Sequence, residues 1–499
     1  MTPDSITSRF SPLFEPRVVA VVGASANKIS PGNEFIRHSR ALGYRGHMVV
    51  LHPTAESVEG ERAIKSFAEM DETIDFAYIA VDAPKVAGVL AAAKGRIRFA
   101  LVMSSGFGET EAGRALEAEA VAAAAASGIR LLGPNCLGVY APRAGLAFVG
   151  GCSSQPGPIG VLSQSGGLAV DVLLRGRERG LRFSALVTIG NSADVGPDEL
   201  LAYYLADPHT AAVGLYLEDV KNGRRFFEVL RASRASKPVV LLLGGQTNEG
   251  RAAAASHTGA LATDVSIWLG IARQTGLTIV PTLEDFLDTL LAFQLLRPRL
   301  ERPTTSAALF GNGGGTSVLA ADAFARRGLR VPRFPAPAIA ALEALKLPPG
   351  TSIVNPIDAP AGTLRKDDGG VAKTILEVVY GLADPDAIVM HINLAVFGKS
   401  LDQRADFVGN LVDAAAALQA VQPSGPHFLL VLRSDGSRQC DDRRRELREA
   451  LLHRNIAVFD EMTNAATALG SMSAYEHFRY RQGSRAAAAA VENAPVRIA

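Results

Sequence analysis

The stretch Ile159-Gly-Val-Leu-Ser-Gln-Ser-Gly-Gly-Leu168 joins a short apolar run to a turn of small residues and then to a helical pattern. The same plan returns at Ala307-Ala-Leu-Phe-Gly-Asn-Gly-Gly-Gly-Thr316. A buried strand that passes through small residues into a helix is typical of the strand-to-helix connection in a parallel sheet. Because the plan occurs twice, we predict two flavodoxin-like domains of one origin.

Apolar runs alternate with alanine-rich helical patterns along almost the whole chain. This alternation predicts the α/β class, with parallel sheets wound by helices. The first strand is followed by a helical pattern at about residues 32–43. The predicted strands lie at 17–22, 47–51, 75–81, 98–103 and 129–132, then at 159–162, 183–188, 212–217, 238–243 and 278–280, and finally at 306–310, 387–392, 427–432 and 456–459.

A chain of 499 residues is too long for one compact core, and its length suggests about three domains. Residues 142–158 are predicted to be a linker that can form a hairpin, because they contain glycines and a cluster of serine and cysteine residues. Pro298-Arg-Leu-Glu-Arg-Pro303 is predicted to be a boundary, because two prolines stop the preceding helix. The predicted parts are a Rossmann-type domain over 1–145, flavodoxin-like doubly wound domains over 155–298 and 304–475, and a frayed helix or flexible tail over 483–499.

The opening of the chain predicts a nucleotide-binding βαβ unit. Arg17-Val-Val-Ala-Val-Val-Gly23-Ala24-Ser25 is a strand run that ends in glycine and serine, and a second strand ends at Leu51-His52-Pro53. The glycines are not spaced as in the dinucleotide fingerprint, and no acidic residue follows the second strand to bind a ribose. The sequence therefore disfavours NAD and leaves another adenine nucleotide open.

Composition excludes several classes of partner. The 51 basic and 50 acidic side chains give a formal charge of +1, so neither nucleic acid nor an anionic membrane is indicated. Three cysteines at unrelated spacings predict no disulfide framework and no metal site. No apolar run is long enough for a membrane span, and the first residues lack a signal region. These features predict a cytoplasmic protein.

The two glycine-rich turns are also predicted to bind phosphate, because a helix N-terminus after such a turn presents free N–H groups to an anion. His257 is predicted to lie in a loop of small residues, Ser256-His-Thr-Gly-Ala-Leu261, and an isolated loop histidine is more often solvated or capping than nucleophilic. Together with two phosphate turns, however, it indicates a phosphoryl relay. The residues predicted to bind phosphate are Ser163, Ser165, Gly166, Gly167, Gly313, Gly314, Gly315 and Thr316.

A set of ordered motifs resembles the NDP-forming acyl-CoA synthetases, which are related to succinyl-CoA synthetase. The similarity covers about residues 10–475, and the chain looks like the α subunit or α half of such an enzyme. The motifs are Val21-Val-Gly-Ala-Ser25, Met103-Ser-Ser-Gly-Phe-Gly-Glu109, Gly133-Pro-Asn-Cys-Leu-Gly138, Leu162-Ser-Gln-Ser-Gly-Gly167, Ile189-Gly-Asn-Ser-Ala-Asp194, Leu215-Tyr-Leu-Glu218 and the His257 motif.

The resemblance implies a role for several residues. His257 is expected to be phosphorylated transiently and Glu218 to hold its imidazole, although a glutamate at a strand end is more often solvated. Cys136 is interpreted as a small buried thiol rather than a nucleophile. The residues expected to contact coenzyme A are Gly23, Ser25, Ser104, Ser105, Gly106 and Asn135.

The chain departs from the family in two turns of the coenzyme A-binding domain. His52-Pro53-Thr54 replaces the usual Asn-Pro-Lys, and Val81-Asp82-Ala83-Pro84 replaces the usual Val-Pro-Ala. Loss of the lysine is expected to weaken binding of the nucleotide phosphates of coenzyme A. Lys28 and Arg37 are candidates to replace it.

The family reaction joins a carboxylic acid to coenzyme A through an acyl phosphate and a phosphohistidine. The resemblance implies a small carboxylic acid as substrate, and ATP or ADP with Mg²⁺ bound by a separate ATP-grasp β subunit. We therefore expect a hetero-oligomer, or a homodimer of this chain. The alternatives are a non-catalytic protein of the same fold that binds coenzyme A or acyl-CoA, and an NAD-dependent enzyme, which the missing glycine fingerprint and the missing acidic residue disfavour.

Overall fold

Three sheets wound with helices organise the protein in a computed structural model that describes residues 3–258, 264–397, 407–421 and 425–492. The described residues fall into two compact units that divide between Phe286 and Leu287, with Glu178–Gly180 in the second. This division lies inside a helix, ahead of the predicted boundary at residues 298–303. The predicted α/β class is confirmed.

Every predicted strand is present, with small shifts at the ends. Sequence analysis missed four short strands, since two to four residues carry no readable alternation. The strands are β1 Val18–Val22, β2 His47–Leu51, β3 Ser57–Val58, β4 Glu61–Ile64, β5 Ile74–Ile79, β6 Ile97–Val102, β7 Arg130–Leu132, β8 Val139–Tyr140, β9 Ile159–Ser163, β10 Phe183–Thr188, β11 Ala212–Leu217, β12 Val239–Leu243, β13 Thr278–Val280, β14 Ala307–Gly311, β15 Ile357–Asp358, β16 Ala387–Asn393, β17 His427–Arg433 and β18 Ala457–Phe459.

The helices connect successive strands. The last of them reaches Glu492, so the first part of the predicted tail is helical, while residues 493–499 lie outside the described part. The helices are α1 Pro3–Phe14, α2 Pro31–Leu42, α3 Ala83–Ala93, α4 Arg114–Ala126, α5 Gly166–Arg179, α6 Pro197–Ala206, α7 Gly223–Ser233, α8 Asn248–Thr258, α9 Val265–Thr275, α10 Leu283–Leu295, α11 Gly314–Arg326, α12 Ala336–Ala344, α13 Ala361–Arg365, α14 Gly370–Val378, α15 Leu394–Phe397, α16 Phe407–Val421, α17 Arg438–Leu452 and α18 Met462–Glu492.

The first sheet has the order β3-β4-β2-β1-β5-β6-β7. All its pairings are parallel except β3 with β4, and its six parallel strands follow the Rossmann order 3-2-1-4-5-6. Strands β1 and β5 lie side by side, and the connections leave them in opposite directions. Such a switch point opens a crevice at the carboxyl ends of the strands, where ligands bind in open α/β sheets.

The second and third sheets share the flavodoxin-like order 2-1-3-4-5 in their parallel strands, which run β13-β12-β11-β9-β10 and β15-β14-β16-β17-β18. Their switch points lie between β9 and β11 and between β14 and β16. Strand β8 adds an antiparallel edge to the second sheet beside β10. Val139 and Tyr140 therefore belong to the second sheet, although they precede the linker that the sequence predicts.

Helix α1 joins the first two sheets into one unit, and sequence analysis missed it. Phe10 is fully buried and packs on Phe99 of β6, with ring centroids 5.6 Å apart. Phe14 stacks on Tyr203 of α6 at 4.3 Å. Aromatic side chains bury a large apolar area, so these contacts tie both domains to one core.

In the second unit, the carboxylate of Glu476 on α18 is fully buried, and both of its oxygens accept hydrogen bonds. It accepts hydrogen bonds from the backbone N–H groups of Arg299 and Thr304, both at 2.7 Å, and from Nε2 of His427 at 2.9 Å. These bonds fix the proline-flanked segment 298–303 just before it enters the third sheet.

Burial alone would raise the pKa of Glu476, but the hydrogen bond and charge of His427 and the two backbone N–H groups outweigh burial and lower this pKa below its usual range. A carboxyl whose pKa is lower in the folded state stabilises the fold above its unfolded pKa of about 4.3. That contribution is lost as the pH falls through the folded pKa.

We expect Glu476→Gln to lower the free energy of unfolding of the second unit by about 2–4 kcal/mol at pH 7, because it removes the charge that three donors share. The variant should also lose less stability than the wild type as the pH falls below about 4.3, since its amide does not titrate. Urea unfolding followed by hydrogen exchange in β17 and α18 measures both effects. Glu449→Gln, at an exposed position on α17, is the matched control. Equal stability of the two variants at pH 7 would contradict the assignment.

Candidate active site

The backbone of His257 lies in the last turn of α8, which follows β12 of the second sheet. The prediction of a loop at this histidine is therefore wrong. An alanine run, Ala252–Ala255, extends the helix to Thr258, since alanine has the highest helix propensity. The side chain of His257 and residues 259–263, including Gly259, Ala260 and Leu261 of the motif, lie outside the described residues.

Glu218 follows β11 and is buried, with only 7% of its surface exposed. The hydroxyl of Tyr216 donates to Glu218 Oε1 at 2.9 Å. Burial, and then the Glu218 carboxylate, raise the pKa of Tyr216, so its hydroxyl stays a donor. The solvated glutamate that is usual at a strand end is excluded here.

Gln164 fixes the strand end that carries Glu218. Its Oε1 accepts from the backbone N–H groups of Glu218 and, at 3.0 Å, Asp219, while its Nε2 donates to the carbonyl of Asp219 at 2.9 Å. Its own backbone N–H donates to the carbonyl of Tyr216 at 3.1 Å. Gln164 belongs to the first glycine-rich motif, but the sequence indicates no role for it, because its hydrogen-bond partners are remote in sequence.

Ser163 and Ser165 shape the first glycine-rich turn. The buried hydroxyl of Ser163 donates to the carbonyl of Ser165 at 2.7 Å and accepts from the Ser165 N–H at 3.2 Å. The Ser165 hydroxyl accepts from the N–H of Leu168 at 3.3 Å. A Cβ on Gly166 would lie 2.6 Å from Leu137 Cγ, whereas Gly167 is exposed and its Cβ position is open. The turn therefore presents backbone at Gly167 and uses Ser163 internally.

The second turn lies at the switch point of the third sheet, where α11 begins. Gly313 has φ +125° and its N–H donates to Asp358 Oδ1 at 2.7 Å. Gly314 and Gly315 are exposed, so their backbone is open to a ligand. The predicted residues of this turn lie together, but an aspartate already accepts from one of the expected phosphate donors.

Arg433 brings a cation to this second turn. It ends β17 and donates from a guanidinium nitrogen to Thr316 Oγ1 at 2.7 Å. Its Nε donates to Glu461 Oε2 at 2.8 Å. The available signal was a lone arginine at the end of an apolar strand, His427–Arg433, but nothing in the sequence indicates that this strand end meets α11.

His391 supports the second turn from behind. It is buried in β16, and its Nε2 lies 3.2 Å from the carbonyl oxygen of Asn312. Because a carbonyl only accepts, Nε2 carries the proton. Burial lowers the pKa of His391 to about 4, so the ring is neutral near pH 7. A neutral donor fixes the Asn312 carbonyl without adding charge.

The turn after β1 is closely packed against the next strand of the crevice. Gly23 has φ +100°, and a Cβ there would lie 2.2 Å from the carbonyl oxygen of Ala80. The Ser25 N–H donates to Oδ1 of buried Asn33 at 2.9 Å, so this predicted donor is already used. Only glycine fits at position 23.

Of the two basic residues considered as substitutes for the missing family lysine, Arg37 is committed elsewhere. Its guanidinium makes two hydrogen bonds of 2.8 Å to the carboxylate of Glu59. Lys28 is exposed in the loop between β1 and α2. Lys28 is therefore the better placed of the two to meet a phosphate.

Two further turns of the first domain meet. Ser104 Oγ donates to the carbonyl of Val81 at 2.6 Å, and the Ser104 carbonyl accepts from the N–H of Asn135 at 3.0 Å. Asn135 has φ +58° and follows a cis Gly133–Pro134 bond. The Gly106 N–H donates to Glu109 Oε1, and Ser105 is exposed. The structure thus brings Ser104, Ser105, Gly106 and Asn135 together at one end of the sheet.

Cys136 is buried beside Asn135, and its thiol lies 3.5 Å from the carbonyl oxygen of Val102. Burial raises the pKa of this thiol well above its usual range. A thiol that stays protonated is a poor nucleophile, which agrees with the interpretation of Cys136 as a buried apolar residue.

Across residues 3–258, 264–397, 407–421 and 425–492, no group of three His, Cys, Asp or Glu side chains has the geometry to hold a metal ion. Within those same ranges, no helix combines the length and the apolar character needed to cross a bilayer.

Both domains of the first unit match known families. Residues 17–142 match the CoA binding domain, and residues 156–293 match the succinyl-CoA ligase like flavodoxin domain. The α subunit of acetate–CoA ligase [ADP-forming] II from Pyrococcus furiosus is 33% identical over 73% of this chain and 79% of its own. Acetate–CoA ligase [ADP-forming] I from Archaeoglobus fulgidus is also 33% identical, but this chain spans only 50% of its length.

A solved structure has the same fold over nearly the whole chain. The dinucleotide forming acetyl-coenzyme A synthetase 1 of Ca. Korarchaeum cryptofilum, in complex with phosphate and ADP, superposes with a TM-score of 0.81 and 27% identity over 95% of this chain and 98% of that one. These relatives are acid–thiol ligases. The chain belongs to their family, the ADP-forming acyl-CoA synthetases, and resembles its α subunits.

We expect Gln164→Ala to loosen the strand end at Glu218, because the backbone N–H groups of Glu218 and Asp219 lose their acceptor. Hydrogen exchange of the Glu218 and Asp219 amides should accelerate roughly tenfold or more, since each 1.4 kcal/mol corresponds to a factor of ten. Gln274→Ala, at an exposed position on α9, is the matched control and should leave these amides unchanged. Unchanged exchange in the Gln164 variant would show that another group holds this strand end.

Proposed function

We propose that this chain is the catalytic α subunit of an ADP-forming acyl-CoA ligase that joins a small carboxylic acid to coenzyme A in the cytoplasm. The observation that carries the proposal is the buried Glu218, held by Gln164 at the switch point between β9 and β11. The next strand of that sheet, β12, leads into α8 and His257. Free cysteines at positions 136, 152 and 440 fit the reducing compartment.

The net reaction converts a carboxylic acid, coenzyme A and ATP into acyl-CoA, ADP and phosphate. In our proposal, a ring nitrogen of neutral His257 attacks the γ-phosphorus of ATP, and ADP leaves. The substrate carboxylate then takes the phosphoryl group to form an acyl phosphate. The thiol sulfur of coenzyme A attacks the acyl carbon, the C–O bond to phosphate breaks, and the thiol proton is lost to the medium. Each step reverses when acyl-CoA is the substrate.

Glu218 is assigned to accept a hydrogen bond from the second ring nitrogen of His257. Such a bond fixes the tautomer and leaves the other nitrogen free to attack phosphorus. A buried carboxylate costs free energy unless it has partners, so its retention at a ligand-binding strand end favours function over solvation. The backbone of Gly166 and Gly167 at the start of α5 is assigned to the phosphate oxygens.

The second turn is assigned to phosphate binding within the second unit. Gly313, Gly314 and Gly315 would present the N-terminus of α11, and Thr316 is already held by Arg433. A guanidinium beside a helix start suits a substrate with two negative groups, such as an acyl phosphate.

Coenzyme A is assigned to the crevice of the first sheet, a placement that the family match of residues 17–142 supports. The turn at Gly23 and Ser25 would face the nucleotide phosphates, with Lys28 as the nearby cation. Ser104, Ser105, Gly106 and Asn135 would face the pantetheine and its thiol. The residues fit, since these turns carry small side chains and lie at one end of one sheet.

ATP or ADP and Mg²⁺ are assigned to a separate ATP-grasp β subunit, in a hetero-oligomer with this chain. Two observations support the partner. The Pyrococcus furiosus relative is named a subunit alpha, and the Archaeoglobus fulgidus relative, whose name specifies no subunit, is about twice the length that this chain spans. The runner-up function, a non-catalytic acyl-CoA-binding protein, has no use for His257 and a buried Glu218.

We expect ATP labelled at its γ-phosphate, with Mg²⁺ and the cognate ATP-grasp subunit, to label this chain through an acid-labile, base-stable bond. The chain alone should not be labelled, because it lacks the partner's nucleotide site. His257→Asn should abolish labelling, while His209→Asn, at an exposed position in the same unit, should retain it.

Autoradiography after acid and base treatment checks these outcomes. Label that persists in the His257 variant would place the nucleophile elsewhere, and label acquired by the isolated chain would refute the need for a partner. Coenzyme A binding without any labelling of the complete enzyme would favour the non-catalytic alternative.

A further inference from the structure

The motif Ile189-Gly-Asn-Ser-Ala-Asp194 has no role in the chemistry above. It follows β10 of the second sheet, yet its backbone bonds to the first domain. The Asn191 N–H donates to the carbonyl of Pro134 at 3.0 Å, and the Ala193 N–H donates to the carbonyl of Gly133 at 2.9 Å. We call residues 189–194 the bridging loop, because it ties the cis-proline turn of the first domain to the second domain.

The bridging loop approaches this turn as closely as backbone allows. Gly190 has φ +47°, and a Cβ there would lie 2.2 Å from the carbonyl oxygen of Asn135. Asp194 Oδ2 accepts from the Leu131 N–H at 2.8 Å and pairs with Arg130 at 3.0 Å. The position of the loop relative to Asn135 is therefore fixed on both sides of Asn191.

The side chain of Asn191 lies between two carboxylates and one amide. Its Nδ2 donates to Glu109 Oε2 at 2.7 Å and to Glu117 Oε2 at 2.8 Å. Its Oδ1 lies 3.5 Å from the Nδ2 of Asn135, the residue assigned to the thiol end of coenzyme A. The side-chain amide of Asn191 thus donates one hydrogen bond to each of two neighbouring carboxylates.

The same carboxylates hold the other coenzyme A turn. Glu109 Oε1 accepts from the Gly106 N–H, and Glu117 Oε2 accepts from the Gly108 N–H at 3.1 Å. Burial alone would raise the pKa of Glu109, but the hydrogen bond from Asn191 and backbone N–H groups lower it below its usual range. Glu109 is therefore ionised near pH 7 and remains an acceptor for both groups.

We propose that Asn191 is a positioning residue that sets the two coenzyme A turns of the first domain against the phosphoryl-transfer site of the second. It acts through Glu109, Glu117 and Asn135 and does not itself touch the reacting atoms. This proposal rests on the proposed function. Its expected signature is a loss of coenzyme A affinity that leaves phosphorylation of His257 intact, because that transfer does not involve coenzyme A.

An amide is required at position 191 because both acceptors are carboxylates. An aspartate at this position keeps the size but replaces two donor hydrogens with a third negative charge, and like charges at hydrogen-bond distance repel. The turns at Gly106 and Asn135 would then separate from the bridging loop.

The test compares Asn191→Asp with the wild type in the complete enzyme. We expect the dissociation constant and the KM for coenzyme A to rise about tenfold or more, from the loss of two hydrogen bonds to charged groups. Labelling of His257 from ATP should stay within about twofold. Asn222→Asp is the matched control, because its side chain only caps α7 by accepting from the Arg225 N–H, which a carboxylate also does.

A second variant restores the pattern of donors and acceptors by combining Asn191→Asp with Glu109→Gln. The amide introduced at position 109 can donate to the carboxylate introduced at position 191 and still accept from the Gly106 N–H. The total charge of the cluster also returns to its original value. We expect this double variant to recover part of the coenzyme A affinity. Recovery of coenzyme A affinity by the exchange of partners would show that positions 109 and 191 affect this affinity through their mutual contact.

Calorimetry with coenzyme A measures affinity without catalysis, so this test separates the inference from the proposed function. Unchanged affinity in a folded Asn191→Asp protein would overturn the inference. So would an equal loss of coenzyme A binding and His257 labelling, or the lack of any recovery in the double variant. If the single variant does not fold, Glu117→Ala, which removes the acceptor of Asn191 Nδ2 and of the Gly108 N–H, serves instead, with the same expected split between coenzyme A affinity and labelling. Absence of labelling in the wild type would refute the function and leave the calorimetric result to stand alone.

Discussion

The side-chain amide of Gln164 joins the carboxyl ends of β9 and β11, and the candidate active site depends on this junction. Strands at a switch point send their connections to opposite faces of the sheet, so the backbone groups at their ends have no strand partners. Gln164 supplies an acceptor for Glu218 and Asp219 and a donor for the Asp219 carbonyl. The carboxyl group of Glu218 can be buried there because the neighbouring backbone N–H and C=O groups already have Gln164 as their hydrogen-bond partner.

The same constraint explains why the chain uses glycine and small polar residues at three strand ends. Gly23, Gly166 and Gly313 each lie where a strand of a switch point turns into a helix. At Gly23 and Gly166 a Cβ would collide with a neighbouring chain segment, whereas at Gly313 the positive φ is the reason. Each of the three crevices therefore exposes main chain rather than side chains. Main-chain N–H groups can donate hydrogen bonds to the phosphate oxygens of any phosphate ester.

Sequence patterns predicted the strands well because a parallel strand buried on both faces appears as a continuous apolar run. The patterns failed where contacts between residues distant in sequence determine the local structure. Helix α1 was missed, since Phe10 and Phe14 pack against Phe99 and Tyr203, which are distant in sequence. The helix that carries His257 was missed for another reason, because the small residues around the histidine resemble a loop although the alanines before it favour a helix.

The site residues divide in the same way. The positions of Glu218 and of the two glycine turns at strand ends could be predicted from local sequence, because each follows an apolar strand run. Gln164, Arg433 and Asn191 could not, because their roles come from hydrogen bonds to residues remote in sequence: Gln164 with Asp219, Arg433 with Thr316, and Asn191 with Glu109. A single sequence contains the partners but not their proximity.

The shared core of the first unit has a consequence for how such chains can be rearranged in evolution. Helix α1 packs on both sheets, and β8 precedes the linker yet completes the second sheet. A recombination breakpoint between the two domains would expose aromatic side chains on both halves and leave β10 of the second sheet without its edge strand. We therefore expect the Rossmann and flavodoxin-like domains to be inherited as a single cassette, whereas the third sheet, with its own core, is free to be relocated to another gene.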